Sequence, residues 1–145
     1  MPENRDQAVS ALAVGEYESD RLLLHEIFRR CGWRLFEARD RRRALECLEK
    51  NPVQVVIVES EVRNWNWRKV LNDLRRMVTP PQLVVTSRTA DDYLWAEVLN
   101  VGGFDVLAQP LEPDEVERVI ASAWRHFDVK PQRASRLISP AASVA

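Results

Sequence analysis

The sequence predicts a doubly wound α/β domain, with five parallel strands in the order 2-1-3-4-5 and helices on both faces. Three observations carry this expectation. Five short apolar runs recur along the chain, and each is followed by a segment with helical periodicity. The first run is continuously apolar and the third is dense in β-branched residues, as strands covered on both faces are. Capping and turn residues punctuate the boundaries. Strand–helix alternation implies a parallel sheet, and right-handed crossovers leave few ways to order it.

The elements follow in turn. Ala11-Leu12-Ala13-Val14 is the first strand. Ser19 or Asp20 caps a helix whose inner face carries Leu23, Leu24, Ile27, Phe28 and Cys31, and Gly32 ends it. Arg34-Leu35-Phe36-Glu37-Ala38 is a weaker strand nearer an edge, and Asp40 caps the helix of Ala44, Leu45 and Leu48. Val53-Gln54-Val55-Val56-Ile57-Val58 is the strongest strand and belongs at the sheet centre. Val70, Leu71, Leu74 and Met77 mark a helix that stops before Pro80-Pro81. Leu83-Val84-Val85 is the fourth strand. Thr89 opens a helix with Tyr93, Leu94, Val98 and Leu99, closed by Gly102-Gly103. Val106-Leu107-Ala108 is the fifth strand. Pro113 fits the first turn of a last helix, with Val116, Val119, Ile120, Ala123 and Trp124 as its stripe. Residues 1–9 are expected to be a flexible N-terminal segment, 10–128 the domain and 129–145 a flexible tail. That tail carries Lys130, Arg133 and Arg136 and no acid.

Composition excludes several classes. With 145 residues the chain suits one domain. The net charge of −1 gives no general pull toward nucleic acid or an anionic membrane. Arg41, Arg42 and Arg43 read as a solvated helix face. Cys31 and Cys47 show no metal-binding spacing and read as small buried hydrophobes. His25 and His126 lie far apart, without a ligand partner at suitable spacing. No signal-peptide pattern or membrane-length apolar run is present, so the expected location is cytoplasmic.

In such a sheet, chemistry gathers beyond the carboxyl ends of the strands. Those ends here present Gly15 and Glu16, then Glu59, then Ser87, then Gln109. Along the chain stand also Cys31-Gly32-Trp33 before the second strand, Ala38-Arg39-Asp40 with Ala44-Leu45, Thr86-Ser87, Val101-Gly102-Gly103-Phe104-Asp105 and Gln109-Pro110-Leu111. In this order and spacing the chain resembles the receiver domain of bacterial response regulators over about residues 10–127, which implies a flavodoxin-like fold. The resemblance implies two acids after strand 1 and an aspartate after strand 3 that hold Mg2+. That aspartate accepts a phosphoryl group, a lysine and a hydroxyl support it, and an aromatic on strand 5 switches.

The sequence departs from that pattern at most positions. Gly15 and Glu16 stand at the acid pair, Glu59 at the acceptor, Gln109 at the lysine and Val106 at the switch aromatic; Ser87 keeps the hydroxyl. No cofactor is therefore expected, because the Mg2+ seat and the cation beside it are both altered. The expected function is that of a stand-alone, non-enzymatic pseudo-receiver in two-component signalling, docking a protein such as a histidine kinase or forming a homodimer. Arg88 is expected to pair with Glu59 or Glu16. Interface candidates are Trp65 and Trp67 beyond strand 3, although at least one of the two is expected to pack under the strand 3–helix 3 loop, and Tyr93 and Trp95 beside Val106. The alternatives are a phosphorylation-competent receiver using Glu59, and a flavodoxin-like domain binding a small anionic ligand.

Overall fold

A computed structural model of the chain describes residues 9–62 and 65–127. The elements run β1 (Ser10–Val14), α1 (Arg21–Cys31), β2 (Arg34–Ala38), α2 (Arg41–Lys50), β3 (Val55–Glu59), β4 (Glu61–Val62), β5 (Trp65–Asn66), α3 (Trp67–Arg75), β6 (Gln82–Ser87), α4 (Asp92–Asn100) and β7 (Asp105–Ala108). A last helix, α5, spans 113–127. The main sheet is parallel, in the order β2-β1-β3-β6-β7. With the two hairpin strands set aside, this is the expected order 2-1-3-4-5.

The sheet divides the core in two, because strand side chains alternate between faces. On one face Ala11, Ala13, Val55, Ile57 and Val84 pack against Leu24, Ile27 and Phe28 of α1 and Val116, Val119 and Ile120 of α5. On the other, Leu12, Val14, Val56, Val58, Leu83 and Val85 pack against α2, α3 and α4. Two helices on one face and three on the other make the doubly wound arrangement.

Several boundaries differ from the sequence expectation for identifiable reasons. Val9, assigned to a loose segment, is buried, and its carbonyl accepts the Arg34 N–H at 2.8 Å. The rest of that segment and the tail from 128 lie outside the described residues. Thr89 does not open α4. Its N–H donates to the Ser87 hydroxyl at 3.1 Å in a local turn, and Asp91 is the cap, accepting from Leu94 N at 2.9 Å. Asp40 caps α2 as expected, through Arg43 N at 2.9 Å.

The antiparallel β4–β5 hairpin was not anticipated. It carries Trp65 inward, and Asn66 caps α3 by accepting from Lys69 N at 3.1 Å. Trp65 and Trp67 are 4% and 6% exposed. The expectation that they form a docking patch is therefore corrected: both rings are spent on the core between β3 and α3. The Trp65 indole donates to Asp73 Oδ2 at 3.0 Å, and Arg41 of α2 holds the same carboxylate at 2.9 Å.

This cluster carries a pH prediction. The hydrogen-bonded Arg41 guanidinium, against the opposing effect of partial burial and with help from Trp65, holds the Asp73 carboxyl below its usual range. A depressed carboxylate stabilises the fold above its unfolded value, and that contribution is lost as pH falls through the folded one. The loss should therefore lie below about pH 4. Asp73→Asn is expected to lower stability at neutral pH and to flatten the acid limb of a urea-midpoint profile. An acid limb of unchanged slope would contradict this.

Candidate functional site

Glu16, Glu59 and Gly15 do converge at the carboxyl ends of β1 and β3. They line an open cleft of 610 Å3 with Tyr17, Glu18, Arg39, Asp40, Val62 and Arg88. Sheet pairing fixes this convergence. Val14 sits opposite Val58 in register, so the residues that follow leave the sheet side by side.

Glu59 does not project freely into the cleft. Its Oε1 accepts the Glu16 N–H at 3.0 Å, and its Oε2 accepts from Gln109 Nε2 at 3.5 Å. The carboxylate lies back over Gly15, whose φ is 137°. A Cβ on Gly15 would stand 2.9 Å from both Cγ and Cδ of Glu59 and would overlap Oε1. Glycine at 15 and glutamate at 59 are thus sterically linked. The Glu59 carboxylate fills space that a side chain at 15 would need.

Gln109 is the second connector. Besides Glu59 it donates to Asp20 Oδ2 at 3.1 Å, and Asp20 Oδ1 accepts the Leu111 N–H at 3.3 Å. Asp20 is 5% exposed and makes no capping bond to α1, although it occupies the cap position. A long-range tether has taken its side chain. One neutral amide thus joins two carboxylates from different segments and ties β3, the β1–α1 loop and the β7–α5 loop together. No cation is involved, although Arg88 lines the cleft. Arg88 forms no ion pair with Glu59 or Glu16 among the described residues, which corrects the expectation that it would. The Glu59 carboxylate is held instead by the Glu16 N–H at 3.0 Å and, more weakly, by Gln109 at 3.5 Å.

Replacing the shared amide with a cation should therefore help. Gln109→Lys is expected to raise stability by about 1 kcal/mol, since an ammonium of similar reach would sit between two acids. The urea midpoint should rise, and the gain should shrink in salt. A lower midpoint would contradict the shared-amide geometry.

Ser87 is buried at 3% exposure, and its hydroxyl is turned to Thr89. It does not line the cleft. Val106 is half-buried against the α2–α3–α4 side of the core. Tyr17 was missed in the sequence. It holds φ at 48° and buries its ring, and its hydroxyl lies 2.9 Å from Thr86 Oγ1. Burial keeps its phenol neutral far above the usual range; the Thr86 hydrogen bond opposes this, and the charges of Glu59 and Asp20 add to it. An aromatic directly after the acidic turn was the available signal.

The donor set does not suit Mg2+. That ion demands near-octahedral oxygen ligands. Gly15 offers no side-chain oxygen, the Glu59 carboxylate is turned back over Gly15, and no group of three potential ligands gathers among the described residues. No described helix is long and apolar enough to cross a membrane.

No family model and no curated protein matches the chain. Solved structures do. The signal receiver domain of an HD domain-containing protein from Pseudomonas fluorescens Pf-5 superposes with a TM-score of 0.73 at 20% identity, covering 84% of this chain and 98% of that one. The receiver domain of a Francisella response regulator gives 0.71 at 18% identity, covering 81% and 98%. A response regulator receiver domain protein from Clostridium thermocellum gives 0.73 at 13%, covering 83% and 98%. At these identities the likeness is one of fold, and the chain has the flavodoxin-like fold of response regulator receiver domains.

Proposed function

We propose that this chain is an atypical receiver domain, acting in two-component-type signal transduction by protein docking and without phosphoryl transfer. The supporting observation is the Glu59 carboxylate folded over Gly15 and bonded to Glu16 N–H and Gln109. An acceptor must present a free oxygen beside a metal, with charge ready to offset the transferred group. Glu59 faces Gly15 in place of a second metal-holding acid, and the neutral Gln109 in place of a cation. It serves as a fixed anion that holds the pocket loops in one state. The docking surface is the face of α4 and β7 bearing Tyr93 and Trp95, beside Val106, which would receive a histidine kinase or another signalling protein.

The test is incubation of the intact chain with Mg2+ and acetyl phosphate, followed by intact mass and a thermal scan, with a beryllofluoride arm. No mass gain and no shift in Tm are expected. A hydroxylamine-labile phosphoryl group on Glu59 would overturn the reading in favour of a competent receiver.

A further inference from the structure

Charge distribution gives the docking face its partner chemistry. Between Thr89 and Glu117 lie eight of the chain's 22 acidic residues and none of its 21 basic ones. That stretch builds α4, β7 and the start of α5, which together form one lateral edge of the domain. Two of the eight are neutralised across the fold, Glu97 by Arg68 of α3 and Glu117 by Arg30 of α1. Among the described residues, no Lys or Arg pairs with Asp91, Asp92, Asp105, Glu112, Asp114 or Glu115.

The same edge is apolar. Helix α4 reads Asp-Tyr-Leu-Trp-Ala-Glu-Val-Leu-Asn, yet Val98 is its one fully buried residue. Tyr93 is 81% exposed and Trp95 49%. The Trp95 indole N–H donates to Asp105 Oδ1 at 3.3 Å, which holds the ring toward β7. Strand β7 pairs only with β6, so its outer edge has no strand partner among the described residues.

We propose that this edge docks a cationic amphipathic segment of a partner protein. Its Arg or Lys heads meet Asp92, Asp105 and Asp114, and its apolar side chains cover Tyr93 and Trp95. The proposal rests on the docking-face reading above and adds the occupant. Carboxylates without an internal Lys or Arg partner repel nucleic acid and anionic lipid, so the complementary macromolecule is a basic polypeptide. Exposed aromatics supply the desolvated anchor, and a guanidinium over Trp95 adds a cation–π contact. The acids supply steering and register.

The test uses the intact chain and three labelled helical peptides of equal length. One has arginine on one face and leucine on the other, one has the same residues in mixed order, and one has glutamate in place of arginine. The amphipathic arginine peptide is expected to bind best and to weaken about tenfold between low and physiological salt. Tyr93→Ala and Asp92→Lys/Asp114→Lys should each weaken it by about tenfold or more. Glu46→Lys/Glu49→Lys on α2 should leave it unchanged. Equal loss with the α2 variant, or equal binding of the mixed-order peptide, overturns the proposal as non-specific charge attraction. Binding of the glutamate peptide that Tyr93→Ala abolishes keeps the docking face and overturns its cationic partner. Salt-sensitive self-association of the chain, with no peptide affinity, overturns it in favour of a second copy. The phosphodonor experiment is independent of all these outcomes.

Discussion

Replacing Gly15 by aspartate is expected to destabilise the domain by about 2–4 kcal/mol, and part of that loss should vanish when Glu59 is shortened. The cost has two sources. Gly15 holds φ at 137°, a region that L side chains rarely adopt, and this strain persists in any background. The second source exists only with Glu59. A Cβ at 15 meets the Glu59 side chain, which can swing aside only by releasing the Glu16 N–H and Gln109. The new carboxylate would also face the old one. A double-mutant cycle of Gly15→Asp and Glu59→Ala separates the two sources, because backbone strain cancels. A coupling of about 1–3 kcal/mol is expected from urea midpoints. Additive single effects would falsify the claim that the two residues compete for one space.

The cycle also marks where reading the sequence stops. Against the receiver resemblance, Gly15 read as the place of an absent acid and Glu59 as a lengthened acceptor. Their connection was not legible, because it depends on φ at Gly15 and on the path the longer side chain takes. Sheet order was legible from Val55-Val56-Ile57-Val58 and its apolar counterparts, since burial on both faces leaves a pattern in the residues themselves. Asp20 shows the opposite case. Its position suits a helix cap, a local role, and its real partners are Gln109 and Leu111, 89 and 91 residues away. Local chemistry at Asp20 gave no indication of that tether. The hairpin at Glu61–Val62 and Trp65–Asn66 was hidden for a related reason. Two-residue strands have no period to detect, and two tryptophans among asparagines read equally well as a surface patch or as core.

Trp65→Ala distinguishes those two readings of the tryptophans, and its expected cost is about 3–5 kcal/mol. The ring is 4% exposed and belongs to the core shared by β3 and α3. Its removal leaves a cavity that the hairpin, paired through Val62 and Glu61 alone, is poorly placed to close. It also deletes one of the donors on Asp73, leaving that carboxylate to Arg41. Trp65→Phe keeps most of the ring and loses only the indole hydrogen bond, so it should cost about 1–2 kcal/mol. Urea denaturation of the two variants gives the comparison. A surface role predicts the reverse pattern, with stability nearly unchanged and docking lost. If Trp65→Ala unfolds at the wild-type midpoint, the ring is not part of the core, and the packing of α3 against β3 must be drawn differently. If it loses stability as expected, Tyr93 and Trp95 on α4 are left as the exposed aromatics of the two pairs, and the docking edge is the one they share with β7.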